Sequence, residues 1–432
     1  MNLNSDYHHD SIKQINDLNI IQVLNNFVEE WHHKNSLKIQ YEILNEIHQN
    51  VSTTLLSDPS VLNHDLFFLI IQLMTDMLNK WSIMEQQEIV CFKCITDLLY
   101  TIINKRINEL NLESFKNLLL NNTLVQSIKY FVDNSLSTIL DIDEKIVFGV
   151  SNLLLIFIEL QYGRENITNN PNLIELAESI VKWVSSIEYF NILINLNETK
   201  SLTVQENFLV ISCPHYFSRY RGKNNELLTN SLCDLMLQRY EQILSKLTSI
   251  LPDWNESIMT AVRYMCYALR QMGEHSSTRQ HFTDHLTIID SILLILNSSQ
   301  LQNKVLSDED NFETKLLYAA IWVLSPMGKD PNLSAYLKDQ HDIQTFHTLT
   351  NAKCQALQMY AYKILVTVMN EDDIKNLTDP RKITAIFIDF IRQAIASPLH
   401  SSAGGKLQGL LFNLKGKIES KLFYIDRAIF YL

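Results

Sequence analysis

Ile12, Ile15, Leu18, Ile21, Leu24, Val28 and Trp31 recur at intervals of three and four residues, which places them on one face of a helix. The pattern restarts over 37–56, 61–81 and 83–103; in the last of these Ile89, Val90, Ile95, Leu98, Leu99 and Ile102 form the apolar side. It predicts further helices over 113–132, 143–160, 172–196, 203–212, 226–250, 254–272, 281–297, 309–324, 343–369, 379–396 and 406–430. The breaks are short and polar, such as LPD (251–253), MGEHSSTRQ (272–280) and SPMGKDP (325–331), and no convincing strand pair stands between them. The chain holds only 9 Gly and 8 Pro in 432 residues. Doubly wound folds and β-folds need those residues at their turns, so the shortage argues for long helices.

About fourteen amphipathic helices cannot share one spherical core, because single cores stop growing near 250–300 residues. Stacking helical hairpins, each burying its face on the next, solves this. The hairpins recur at about 40–50 residues, the length of armadillo and HEAT repeats. The expected fold class is therefore all-α: an α-solenoid of degenerate armadillo/HEAT-like helical hairpins. It is expected to run as one domain over 1–432, with the clearest pattern over 309–420 and a possible break at 213–225.

Lys plus Arg number 36 and Asp plus Glu 48, a net charge of −12. The charge is uneven: nine basic and four acidic residues follow from Lys375 onward, leaving −17 on residues 1–374. That field opposes a general role in nucleic-acid binding, while the basic end suits acidic protein surfaces or anionic lipid; other proteins are the expected partners. Six scattered cysteines do not make a disulfide scaffold in a chain this long, so a reducing compartment, the cytoplasm, is expected. The apolar runs 66–74 and 147–160 fall short of the roughly 20 residues of a membrane span.

Several motifs hint at chemistry and lose to plainer readings. In NEDDIKNLTDPRKI (370–383), Glu371, Asp372 and Asp373 stand in a row. An EF-hand register from Asp372 puts Leu377 where glycine is required and Ile383 where the bidentate glutamate belongs. An aspartate-rich magnesium motif, as in helical isoprenoid synthases, would end on Asn376. A helix joint fits better, with Asp379-Pro380 as N-cap and first helical residue. Cys91 and Cys94 form a CxxC pair in mid-helix without a second pair, so they read as core and flank positions. His281 and His285, with His275 as a third candidate, would be one helical turn apart as zinc ligands, but HExxH is absent and a polar helix start is expected. SSAGGKLQG (401–409) has His400 and Leu407 where a phosphate loop needs Gly and Ser or Thr. WHHKN (31–35) is a lone Trp-x-x-x-Asn unit, not the ladder of such units that nuclear-import armadillo proteins carry. No metal, cofactor or catalytic residue is therefore assigned, and no enzyme activity is expected. The candidate partner-binding loop is CPHYFSRYRGKNN (213–225), where His215, Tyr216, Phe217, Arg219, Tyr220, Arg221 and Lys223 interleave rings with cations.

LYAAIWVLSP (317–326), KCQALQMYAYKILVTVMNEDDI (353–374), DPRKITAIFIDFIRQAI (379–395) and LFNLKG (411–416) resemble the armadillo-like helical region of invertebrate proteins that carry a Toll/interleukin-receptor-like (TIR) domain further on. The resemblance is to packing motifs over about a quarter of the chain, and it implies a fold and a signalling or innate-defence context. It implies no catalytic residue, because the chain ends at IDRAIFYL (425–432) without the downstream domain. Three readings follow: a scaffold acting by itself, the regulatory N-terminal part of a larger TIR-domain protein, or, against both, an all-helical metal- or nucleotide-dependent enzyme.

Overall fold

The computed structural model describes residues 20–34, 36–50, 59–106, 117–161, 171–196, 201–220, 227–307, 311–339 and 343–368. Among these residues every regular element is helical, and the fold class is all-α. Contacts divide the chain into two compact units, Met1–Arg239 and Tyr240–Leu432. The division lies inside one helix, Asn230–Thr248.

In the first unit the helices are α1 (Ile20–Lys34), α2 (Leu37–Asn50), α3 (Asp65–Asn79), α4 (Gln86–Arg106), α5 (Asn122–Ser135), α6 (Glu144–Gln161), α7 (Pro171–Val184) and α8 (Ile187–Asn195). Then come α9 (Val204–Asn207), a π-turn at Phe208–Ser212 and α10 (Cys213–Arg219). The odd helices α1, α3, α5 and α7 lie side by side in that order. So do α2, α4 and α6, followed by the 204–219 segment. Each hairpin is thus covered by the next, the packing of a solenoid, and Phe67, Phe92, Phe131 and Phe157 are fully buried between the layers.

The second unit begins within α11 (Asn230–Thr248) and continues with α12 (Glu256–Glu274), α13 (Leu286–Asn297), α14 (Ser299–Ser307), α15 (Phe312–Met327), α16 (Pro331–Asp339), α17 (Ile343–Leu349) and α18 (Gln355–Val368). Here α12, α15 and α18 form the central layer, with α13 and α14 against α15 and with α16 and α17 against α18. Gly273 makes the closest approach possible: a Cβ there would stand 2.8 Å from Pro326 Cγ and 2.9 Å from Met327 Cε.

Polar side chains set the helix starts. Asn121, Asn255 and Asn311 each accept the backbone N–H three residues on, at 2.8, 2.9 and 2.7 Å. Thr203 and Glu206 form a reciprocal capping box. The same chemistry divides the helix expected over 172–196: Ser186 Oγ accepts the Tyr189 N–H and starts α8 afresh after Val184. The span 343–369 is also two helices, α17 and α18, because the hydroxyl of Thr350 bonds back to the His347 carbonyl and the chain turns. Two short helices, α14 and α16, occupy stretches read from sequence as connections. The predicted helices over 379–396 and 406–430, the acidic joint at 370–383 and the glycine turn at 401–409 lie outside the described residues.

Candidate functional site

The sequence-predicted loop is a correction. Residues Cys213–Arg219 are helix α10, not a loop. Pro214 has no N–H to donate, and the π-turn just before it opens the ladder so that the helix continues past the ring. Tyr216 is 1 % exposed, Phe217 fully buried and Tyr220 6 % exposed. Tyr220 is pushed up to about 12 by burial, with Glu178 adding to the rise. These rings are core of the first unit and present no face for stacking on a ligand. His215 and Arg219 lie half-buried along the same helix, whereas Arg221 and Lys223 lie outside the described residues.

The histidine pair is also rearranged. Residues Gln280–Asp284 form a 3-10 turn, so His281 and His285 are not one α-helical turn apart. His285 Nδ1 instead lies 2.9 Å from Glu241 Oε2, and His275 is beside Gln271. Among the described residues no group of three His, Cys, Asp or Glu is placed to hold a metal ion. Cys91 is buried in α4 and its thiol is pushed up to about 12 by burial, which keeps it protonated and unreactive. Cys94, half-buried, is raised by burial too. Among the described residues no helix is long and apolar enough to cross a membrane.

The most concentrated grouping of aromatic and charged side chains lies instead on the central layer of the second unit. Helix α12 supplies Tyr264, Tyr267, Arg270 and Glu274, which recur at spacings of three and four on one face, with Arg263 beside Tyr264. Helix α15 supplies Tyr318, Trp322 and Ser325, with Lys329 just beyond its end, and α18 supplies Tyr360 and Lys363. Tyr360 and Ser325 are buried, and the other members are half-buried. The rings form a continuous path. Tyr264 meets Tyr267 edge to face at 5.5 Å, and Tyr267 meets Trp322 at 5.9 Å. Tyr318 stacks on Trp322 at 5.6 Å, and Tyr360 closes on both at 5.8 and 6.2 Å.

Cations overlay this path. The Arg270 guanidinium is 4.7 Å from the Trp322 ring centre, Arg263 4.8 Å from that of Tyr264, and Lys363 5.7 Å from that of Tyr360. Each such contact is worth about 0.5–2 kcal/mol, more as water is removed. Glu274 is the carboxylate among them. It pairs with Arg270 and with Lys329 at 2.5 Å each. Burial alone would raise its pKa, but the Arg270 and Lys329 charges outweigh burial and hold it below the usual carboxylate range. Lys363 donates to Ser325 Oγ at 2.5 Å. The phenols of Tyr318 and Tyr360 are pushed up by burial, so both remain protonated donors at neutral pH.

Donors outnumber acceptors here. The Nε–H of Arg263 is buried without a hydrogen bond. The indole N–H of Trp322 faces the Tyr360 hydroxyl without making a hydrogen bond of normal geometry. Buried donors in that condition are uncommon in folded proteins. Sequence reasoning missed this site because its members come from three helices between Arg263 and Lys363. The available signal was a Tyr, Trp and Arg stripe on the polar side of otherwise apolar helices.

No protein-family model matches the chain, and no curated protein does. Among solved structures, the designed armadillo repeat protein YIII(Dq)4CqI is similar over 68 % of this chain and 100 % of its own, with 14 % identity and a TM-score of 0.38.

Proposed function

We propose that the chain is a non-enzymatic protein-interaction scaffold, and that the face formed by α12, α15 and α18 is a recognition surface. The observation that carries this reading is the unbroken path Tyr264–Tyr267–Trp322–Tyr318–Tyr360 with cations laid over it. Trp, Tyr and Arg dominate the energetically decisive positions of protein interfaces, because they combine large apolar area with directed polar groups. Stacked helical hairpins hold such a row on a rigid frame, so binding needs little reordering.

The test is affinity capture from cells that express the protein, with wild type, Trp322→Ala and the pair Arg219→Glu/Arg221→Glu as baits. A specific protein retained by wild type and by the Arg219/Arg221 pair, but lost with Trp322→Ala at unchanged fold by circular dichroism, is the expected result. Loss with the Arg219/Arg221 pair alone moves recognition to the edge of α10.

The resemblance of 317–326 and 353–374 to the helical region of TIR-domain proteins favours a second reading, in which the scaffold is the regulatory arm of a larger signalling protein. Immunoblotting of the endogenous product decides it: a species well above 50.2 kDa is required.

A further inference from the structure

We infer that the α12/α15/α18 face takes an extended, carboxylate-rich peptide segment of a partner protein, and that Glu274 is the internal carboxylate with which that segment competes. This deepens the interaction reading above and rests on it. Among the described residues three cations, Arg270, Lys329 and Lys363, act on the carboxylate of Glu274, on a chain whose net charge is −12. The local field is therefore opposite in sign to that of the protein as a whole. A nearby acidic partner would be repelled by the bulk of the chain and drawn to this face, which gives the site selectivity in position.

The hydrogen-bonding inventory points to the same occupant. The guanidinium of Arg270 and the ammonium groups of Lys329 and Lys363 donate and cannot accept. Carboxylate side chains and peptide carbonyls supply acceptors, and charge-assisted bonds to them are about twice as strong as neutral ones. The geometry also disfavours other occupants. A single-stranded nucleic acid needs open ring faces for its bases, whereas Trp322 is stacked by Tyr318 and overlaid by Arg270.

In the free protein Glu274 bridges Arg270 and Lys329 and partly neutralises them. An arriving carboxylate shares those cations, so Glu274 lowers affinity and sharpens the demand for several acidic groups in register.

The experiment uses the full chain and a fluorescein-labelled 14-residue peptide of alternating Glu and Leu, read by anisotropy. Controls are the same peptide with Lys for Glu and a single-stranded oligothymidine. Expected are saturable binding of the Glu peptide that weakens with salt, at least about a tenfold loss in Lys329→Gln/Lys363→Gln, and about a threefold gain in Glu274→Gln. The gain matters most, because a residue that only braced the fold would not improve binding when removed. Melting curves accompany each variant, and if Glu274→Gln does not fold, the Lys329/Lys363 result decides alone. Three outcomes overturn the inference: no saturable binding of the Glu peptide, equal binding of the Lys peptide, or oligothymidine displacing the Glu peptide from this face. If Trp322→Ala still abolishes capture of a cellular partner while the Glu peptide fails to bind, the scaffold reading stands and only the acidic-partner inference falls.

Discussion

Gly273→Ala puts the geometry of the second unit to a direct test. The new methyl would meet Pro326 Cγ at 2.8 Å and Met327 Cε at 2.9 Å. The methionine end can swing away, but the proline ring is fused to the backbone of α15 and cannot. Helices α12 and α15 must then part by several tenths of an ångström. Overpacking of this kind costs about 1–3 kcal/mol. Alanine regains about 0.5–1 kcal/mol over glycine in a helix, leaving a net loss of about 1 kcal/mol at the middle of both ranges. In a unit of this size that lowers Tm by about 2–4 °C. Urea unfolding with fluorescence detection measures the loss, and the double variant with Pro326→Ala measures its cause. With the ring gone, the Gly273→Ala penalty should shrink by at least about 0.5 kcal/mol, beyond the scatter expected of independent sites. Additive effects, or a Gly273→Ala protein as stable as wild type, would refute the close-approach argument. Because Arg270 and Glu274 flank Gly273 on α12 and reach Trp322 and Lys329, partner affinity should fall together with stability.

Three further outcomes are expected. His64 caps α3 by accepting the Leu66 N–H at Nδ1 while Nε2 faces Asn25, and burial lowers its pKa from 6.5, with Asp65 partly opposing. Its stabilisation is therefore complete above pH 6.5 and is lost as pH falls through the depressed folded value; His64→Asn, a non-titrating cap, should flatten that part of the pH–Tm profile. Cys91, pushed up to about 12 by burial, should resist iodoacetamide at pH 8 in the folded protein and react in urea, as read by peptide mass spectrometry. Thr203→Ala removes one half of the capping box that starts the 204–219 segment and should cost about 1 kcal/mol in urea titration, whereas Thr203→Ser should cost much less.

The course of most helices was legible in the sequence because it depends on local causes. The three-and-four spacing of Ile89, Ile95, Leu98, Leu99 and Ile102 marks the buried side of α4 whatever it packs against, and each of these residues is at most 7 % exposed. The scarcity of glycine and proline likewise excludes the turn-rich folds without reference to any contact. Side chains that compete with the helix were harder to weigh: Ser186 and Thr350 end or start helices only because their hydroxyls find a nearby backbone partner.

What the tertiary structure alone decided is which polar and aromatic groups meet. Tyr216, Phe217 and Tyr220 read as a recognition loop from their neighbours in sequence, yet the π-turn before Pro214 keeps them helical and turns them into the core. Tyr267 and Trp322 are 55 positions apart in the chain, and they touch because Gly273 lets α12 lie close against α15. Periodicity fixes the side of a helix that faces inward; it carries no information about which helix arrives there. The stripe on α12 becomes a candidate site only when α15 and α18 bring their own rings and cations against it.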